Sequence, residues 1–251
     1  MKPEVVDAYL ARIGATRTSP IGDLQELHLR TVPFENLGIH LGEPIVLDED
    51  ALVAKIVERR RGGFCYELNG AFAALLRALG HEVDLVGARV YLGERLSAPL
   101  EHLALRVGDE LVDVGFGDFS LRPLRLDVRD DQHDPEGVFR VVDAPDGDLD
   151  VLQDGEPQYR LEPRPRALTD FGPTCWYQRT SPDSAFTRKP LASMPTAKGR
   201  VTVSGSTLIT TEAGQRTERE LTDPELLDAY RGLFGIGLDA VPSRSASEIA
   251  L

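Results

Sequence analysis

The chain has 251 residues, 41% of them hydrophobic, which is long and apolar enough for a globular core and excludes wholesale disorder. Its 41 acidic residues outnumber the 28 basic ones and give a formal net charge of −13, which argues against nucleic acid or an anionic membrane as the main partner. Two cysteines are too few for a disulfide framework or a cysteine-built zinc site, and no H-x-x-x-H pair is present, so we expect no metal.

The sequence also contains no apolar run near the ~18 residues of a membrane span. It begins with an amphipathic helix pattern rather than a signal peptide, so we expect a cytoplasmic protein. The sequence leaves the oligomeric state open, a homo-oligomer included.

The first 81 residues are predicted to be helical, because apolar residues recur there at spacings of three and four. The predicted helices are Pro3–Ile13, Ile21–Leu29 with Ser19 as its cap, residues 48–60, and a helix from Cys65 that stops at Gly80. Residues 32–37 are predicted to form a loop, because Pro33 cannot continue a helix.

From residue 82 the pattern changes to short alternating strands, which predicts an antiparallel barrel or sandwich to about residue 165. The predicted strands are 83–92, His102–Val107, 111–116, 138–142, Leu149–Gln153 and 158–162. Residues 127–134 are predicted to be a surface loop. The last part combines a short helix over 169–177, strands over 200–211, a helix that begins at Thr222, and a tail from Val241 that frays.

Cys65 is a candidate nucleophile because it follows a glycine pair and begins a predicted helix, in the segment RGGFCYELNG (61–70). The positive end of a helix dipole favours thiolate over thiol, so we expect a lowered pKa for Cys65. Gly62 and Gly63 are interpreted as clearance for a thioester donor. Cys175 is interpreted as a buried structural residue.

A thiol nucleophile needs a base, and that base needs an acceptor to orient it. The candidate bases are His28, His40, His81, His102 and His133. A hairpin centred on Gly108-Asp109 singles out His102: a two- or four-residue loop places it on the same face as Asp113, within reach of its side chain, whereas a three-residue loop separates them. Asp113 interrupts an apolar strand, and pairing with His102 would explain a carboxylate there.

These residues resemble the arylamine N-acetyltransferase family, in the same order along the chain. The resemblance rests on the segments VPFENL (32–37), RGGFCYELNG (61–70) and VDVGFG (112–117), on His102, and on the weaker motifs SPDSAF (181–186) and TAKG (196–199). It implies an α+β fold with a cysteine-protease-like core: a helical bundle over residues 1–81, an antiparallel β-barrel over 82–167, and an α/β lid over 168–251.

The resemblance implies a catalytic triad of Cys65, His102 and Asp113. It implies a ping-pong reaction in which acetyl-coenzyme A acetylates the cysteine and an arylamine or arylhydrazine then accepts the acetyl group. It further implies an ion pair between Glu35 and Arg61 beneath the site.

Other side chains are assigned as contacts on the same basis. Phe34, Glu101 and Phe116 are expected to line the substrate pocket, and Thr196 and Gly199 are expected to contact coenzyme A. Because the net charge is strongly negative, an anionic ligand needs a local basic patch, which Lys198 and Arg200 could supply; solvated surface charge is the alternative.

The chain departs from the family at Glu101, where a small or hydroxyl residue is usual before the histidine, and in the short interval between His102 and Asp113. Three other functions remain open at this stage. A cysteine hydrolase or transglutaminase-like enzyme would use the same triad, although papain-type proteases place the histidine ~130–150 residues after the cysteine. An amide synthase that releases or cyclises a carrier-bound polyketide thioester, or a non-catalytic binding module, would retain the fold.

Overall fold

The computed structural model describes residues 1–243, so most of the tail predicted to fray lies outside the described residues. Helices form the first part of the chain: α1 (Pro3–Ile13), α2 (Ile21–Leu29), α3 (Leu37–His40), α4 (Glu49–Val57) and α5 (Cys65–Ala78). The first two have the predicted bounds. Ser19 does not cap α2; Pro20 precedes that helix, and the Ser19 hydroxyl instead accepts the main-chain N–H of Thr16 at 3.1 Å.

The segment predicted as a loop over residues 32–37 contains a short strand, β1 (Phe34–Glu35). This strand pairs antiparallel with residues 192 and 193, which belong to the last third of the chain. Its partner is distant in sequence, so local pattern could not reveal it. The pairing joins the helical part to the C-terminal sheet, across the domain boundaries predicted from sequence.

Nine antiparallel strands form the central sheet: β2 (Asp84–Leu92), β3 (Arg95–Leu96), β4 (His102–Val107), β5 (Glu110–Val112), β6 (Leu124–Arg125), β7 (Gln132–Asp134), β8 (Gly137–Asp143), β9 (Leu149–Gln153) and β10 (Glu156–Arg166). Their order is β6-β5-β4-β2-β10-β9-β8-β7, with β3 beside β2. The Gln132 side chain on β7 bonds both the N–H and the carbonyl of Arg125 on β6, at 2.6 and 2.9 Å. The sheet is therefore a nearly closed barrel, and the predicted surface loop over 127–134 contains one of its strands.

The last part of the chain consists of α6 (Gly172–Thr180), four strands and α7 (Asp223–Phe234). The strands are β11 (Leu191–Thr196), β12 (Gly199–Ser204), β13 (Thr207–Glu212) and β14 (Gln215–Glu220), and β1 completes this sheet beside β11. Thr222 precedes α7 as predicted, and its N–H donates to the Glu225 carboxylate. Sequence pattern missed β11, which contains Pro195, and β14, whose six residues are all exposed.

Helix α5 lies at the centre of the molecule. All of its residues from Cys65 to Leu76 are buried, and its apolar side chains join α1, α4 and the barrel hairpin β4–β5 in one core cluster. A helix buried on every side needs partners for its polar groups, and Glu67 and Asn69 find theirs on neighbouring segments. The burial of α5 therefore fixes its first residue, Cys65, against the barrel strand that begins with His102. Within the described part of the chain, none of the helices combines the length and apolar character needed to cross a membrane.

His28 makes the helical core sensitive to acid. Its buried ring shares a 3.0 Å hydrogen bond with the Tyr9 hydroxyl and lies 5.0 Å from the Phe72 ring. Burial, with a smaller effect of the Arg12 charge, lowers the pKa of His28 from 6.5 to about 3. Between those two pH values only the unfolded chain takes up the proton. The free energy of unfolding therefore decreases by about 1.4 kcal/mol for each unit by which the pH is lowered.

The double variant Tyr9→Phe/His28→Phe removes both partners of this bond and should flatten the acid response. Between pH 6.5 and about pH 5, the wild-type protein should lose about 2 kcal/mol more unfolding free energy than the double variant. Urea denaturation at each pH measures this difference. His133→Gln, which changes an exposed histidine, should respond as the wild type does. Equal slopes for the wild type and the double variant would contradict the assignment.

Candidate active site

Cys65 is the first residue of α5, as predicted, and its side chain is only 4% exposed. The Glu67 carboxylate accepts the main-chain N–H of Phe64 at 3.3 Å, which supports this helix start. The Cys65 sulfur lies 3.9 Å from the carbonyl oxygen of Glu101, the residue before His102. The thiol therefore lies at the junction of helix and barrel.

His102 and Asp113 meet across the predicted hairpin. The strand register pairs Arg106 with Leu111 and Val107 with Glu110, which leaves the two-residue loop Gly108-Asp109. This loop length puts His102 and Asp113 on one face, and the His102 Nε2 atom lies 2.7 Å from Asp113 Oδ2. Strand β5 ends at Val112, earlier than predicted, so Asp113 is the first residue after the strand.

The Asp113 carboxylate is fully buried among donors. Besides His102, it accepts from Asn69 Nδ2 at 2.9 Å, the N–H of Gly115 at 2.9 Å and the Tyr159 hydroxyl at 3.2 Å. Burial alone would raise the pKa of Asp113, but the charge and hydrogen bonds of His102 and these further donors hold the pKa below its ordinary value. Asp113 is therefore ionised, and its carboxylate orients the His102 ring through the 2.7 Å contact.

Asn69 is a residue of the site that sequence reasoning missed. It lies one turn after Cys65 on α5, donates to Asp113 and to the Leu103 carbonyl, and accepts the N–H of Val114 at 3.0 Å. These bonds attach the helix that carries the thiol to β4 and to the segment that follows β5. An amide beside the apolar positions Leu68 and Phe72 was the available signal, since such a group needs partners once it is buried.

The glycines near Cys65 have a packing role that differs from the prediction. A Cβ atom on Gly62 would lie 1.9 Å from the Pro33 carbonyl oxygen, and one on Gly63 would lie 2.6 Å from Glu67. Both therefore permit close contact within the protein, and neither lines the cavity beside Cys65. The glycine that faces Cys65 is Gly115, where a Cβ would come within 2.7 Å of the Cys65 Cα.

The Cys65 thiol does not have the lowered pKa that its helix position predicted. Burial raises the pKa and the Asp113 charge adds to this effect, while main-chain N–H groups of Leu103 and Tyr66 oppose it. Desolvation thus exceeds the effect of the helix terminus. A buried thiolate needs a cation beside it, and we assign that role to His102, which lines the same cavity and can accept the thiol proton.

Cys65 and His102 open on one cavity of about 900 Å³. Phe34, Glu101 and Phe116, the three predicted substrate contacts, all line it. The Phe116 ring lies 5.1 Å from the His102 ring, and Phe186 packs 6.1 Å from Phe34. The walls near the thiol are thus largely aromatic and suit a flat apolar ligand.

Glu101 joins the barrel to the segment that covers the cavity. Its carboxylate accepts from Gln178 Nε2 on α6 at 2.6 Å and from the N–H of Ala98 at 3.1 Å. Its carbonyl accepts the Tyr66 hydroxyl at 3.0 Å. Glu101, at a position where the family usually has a small or hydroxyl residue, therefore holds α6 against the strand that carries His102.

Thr196 and Gly199 do not line this cavity; they close the turn between β11 and β12. The Thr196 carbonyl accepts from Arg30 at 2.7 Å. Gly199 has a φ of +150° and packs so closely that a Cβ would lie 2.1 Å from the Thr211 carbonyl oxygen. Backbone packing explains this glycine, and its contact with coenzyme A stays a prediction.

The ion pair predicted between Glu35 and Arg61 belongs to a larger buried network. Arg61 Nε donates to Glu35 at 3.0 Å, and Arg61 Nη1 donates to Glu43 at 2.9 Å. Lys55 Nζ lies 2.6 Å from Glu67 and 4.0 Å from Glu35. The network supports both β1 and the start of α5. Lys55 was not foreseen, because a lysine on an amphipathic helix is usually solvated.

Among residues 1–243, no three histidine, cysteine, aspartate or glutamate side chains cluster in a way that could hold a metal ion. Both cysteines are free in the structure.

Comparison with known proteins identifies the family. A sequence profile of the N-acetyltransferase family matches residues 20–242. The arylamine N-acetyltransferase of Mycolicibacterium smegmatis is 36% identical over 257 residues, covering 94% of this chain and 93% of that protein. The pineal gland isozyme of arylamine N-acetyltransferase from Gallus gallus is 31% identical, covering 93% and 94%.

A solved structure gives the same result. The Mycobacterium marinum arylamine N-acetyltransferase in complex with CoA superposes with a TM-score of 0.81 at 30% sequence identity, covering 92% of each chain. The similarity includes the segments around Cys65, His102 and Asp113 within one matched region. The chain belongs to the arylamine N-acetyltransferase family.

Proposed function

We propose that this protein is an acyltransferase that moves the acetyl group of acetyl-coenzyme A to the nitrogen of an arylamine or arylhydrazine. The observation that carries the proposal is the cavity on which Cys65 and His102 both open, with the ionised Asp113 bound behind the histidine. The cavity places a nucleophile and a base beside aromatic walls. The relatives with similar sequences are arylamine N-acetyltransferases, which favours this acceptor over a tethered polyketide amine.

In the first half-reaction, His102 takes the proton of the Cys65 thiol and forms a thiolate–imidazolium pair. The sulfur attacks the thioester carbonyl, a new carbon–sulfur bond forms at Cys65, and the bond to coenzyme A breaks. His102 returns the proton to the departing thiolate, so coenzyme A leaves as a thiol. Asp113 stabilises the charge on His102 throughout, since it stays ionised.

In the second half-reaction, the amine nitrogen attacks the acetyl-Cys65 carbonyl. His102 takes a proton from the nitrogen, and the Cys65 thiolate leaves and recovers that proton. The amine is already a nucleophile, so the protein contributes mainly orientation and proton removal. We assign Phe34 and Phe116 to the walls that orient the aromatic ring, because both line the cavity close to the thiol.

We place the enzyme in the cytoplasm, because its reducing conditions keep an active thiol and a second free cysteine reduced.

Mass spectrometry of the intact protein tests the proposal. After addition of acetyl-coenzyme A, the wild-type protein should gain the mass of one acetyl group, and 4-methoxyaniline should then remove it. Cys65→Ala should gain nothing. Cys175→Ala, which removes the other buried cysteine, should be acetylated as the wild type is. An adduct that persists in Cys65→Ala, or one that arylamine does not discharge, would refute the mechanism.

A further inference from the structure

A chain with a net charge of −13 must still admit a phosphorylated thioester donor. Long-range repulsion between like charges slows such an encounter unless cations line the entrance. The cations suggested by sequence do not meet this need, because neither Lys198 nor Arg200 lines the cavity. Arg200 moreover already forms ion pairs: it lies 3.0 Å from Asp118 and 3.5 Å from Glu136.

Two other arginines line the cavity, Arg95 and Arg188. Arg95 belongs to β3, which pairs with the end of β2 in the barrel, and Arg188 follows the short 3-10 turn Ala185–Thr187. The two cations therefore come from separate walls. Both residues are exposed, whereas Cys65 is buried, so the arginines mark the solvent end of the cavity and the thiol marks its closed end.

Neither arginine is neutralised by a carboxylate of the residues that the structure describes. No ion pair among residues 1–243 includes Arg95 or Arg188. Within the described part of the chain, Arg188 donates only to the main-chain carbonyl of Asp183, at 3.2 Å. Two acids also line the cavity, Glu101 and Asp183. The Glu101 carboxylate accepts hydrogen bonds from Gln178 and from the N–H of Ala98. Asp183 contacts Arg188 through its main-chain carbonyl and not through an ion pair.

We infer that Arg95 and Arg188 form an anion subsite that holds the phosphate groups of the thioester donor at the mouth of the cavity. Guanidinium groups bind phosphate oxygens through paired, charge-assisted hydrogen bonds, which suits them to this ligand. The inference rests on the proposed function and assigns the donor contact to different residues from those the sequence suggested. A carboxylate on the amine acceptor could bind the same two guanidinium groups. The experiment must therefore distinguish the phosphates of the donor from a carboxylate of the acceptor.

The test measures the rate of Cys65 acetylation for two donors, in wild type, Arg95→Gln, Arg188→Gln and the double variant. Acetyl-coenzyme A carries phosphates, and S-acetyl-N-acetylcysteamine presents the same thioester without them. Each single variant should lose roughly 10-fold in kcat/KM for acetyl-coenzyme A, and the double variant about 10²-fold. All should keep the wild-type rate with S-acetyl-N-acetylcysteamine. Arg231→Gln, at an exposed arginine away from the cavity, should keep both rates.

A second arm examines the acceptor, with 4-aminobenzoate compared with 4-methylaniline on the preformed acetyl-enzyme. Unchanged discharge by both amines supports the donor assignment. Loss confined to 4-aminobenzoate would overturn it in favour of an acceptor carboxylate. Equal losses with both donors, or none with acetyl-coenzyme A, would also overturn it. Failure of the wild-type protein to be acetylated by either donor would instead refute the proposed function, and the inference with it.

Discussion

Replacement of Asp113 by asparagine is expected to reduce kcat/KM for acetyl transfer by roughly 10³–10⁴-fold, as loss of the orienting carboxylate does in other catalytic triads. The structure gives the reason. Asp113 accepts four hydrogen bonds, and its Oδ2 lies 2.7 Å from His102 Nε2. An amide that keeps its oxygen at the Oδ1 position still accepts from Asn69 and from the N–H of Gly115, but it places an NH₂ group at the Oδ2 position, against His102 and the Tyr159 hydroxyl. The His102 ring then loses the charge that stabilises its protonated form.

The control for this prediction is Tyr159→Phe, which removes one donor to Asp113 and leaves the bond to His102. Its kcat/KM should fall by no more than about 10-fold. Steady-state kinetics with acetyl-coenzyme A and 4-methoxyaniline provides the rates, and the pH dependence of Cys65 alkylation shows whether the thiol has lost its base. If Asp113→Asn remains folded and transfers acetyl groups as fast as Tyr159→Phe, Asp113 has no role in catalysis.

The second large effect concerns stability. Arg61→Met should lower the free energy of unfolding by about 3–5 kcal/mol, because it removes the main cation from a buried network. Glu35 has no exposed surface, and Arg61 Nε donates to it at 3.0 Å. The remaining cation, Lys55, is 4.0 Å from Glu35 and is already bonded to Glu67. The variant therefore leaves Glu35 with the N–H of Leu37 as a hydrogen-bond donor but without an adequate cation.

Arg77→Met offers a matched control. Arg77 pairs with Glu49 at 2.7 Å, but both side chains are more than one-third exposed. Water solvates the charges of such a pair, so its loss should cost less than about 1 kcal/mol. Urea denaturation of the two variants at pH 7 measures the difference. Similar losses in both would show that burial of the Arg61 network does not determine its importance.

Local sequence information was sufficient wherever the determining interactions lie close together along the chain. The bounds of α1 and α2 follow from helical periodicity, and a two-residue loop at Gly108-Asp109 fixed the register that pairs His102 with Asp113. The family motifs identified the Glu35–Arg61 pair, whose contact the structure confirms. These features depend on spacing, turn chemistry or motif, all of which a sequence displays.

Features built from distant segments were missed or misassigned. The partner of β1 lies more than 150 residues away. The tight packing of Gly62 against Pro33 and of Gly115 against Cys65 requires two segments in contact, and neither contact has a local pattern. The same limit applies to Asn69, whose partners belong to the barrel.

The sequence by itself determined the family, the three reacting residues as candidates, and the α+β class, because motifs, periodicity and one hairpin carry that information. Only the tertiary structure decided the electrostatics of the site. It showed that burial raises the pKa of Cys65 despite the helix start, and that Arg95 and Arg188, rather than Lys198 and Arg200, line the cavity. Desolvation and the grouping of charges depend on which surfaces meet after folding, and linear order does not specify them.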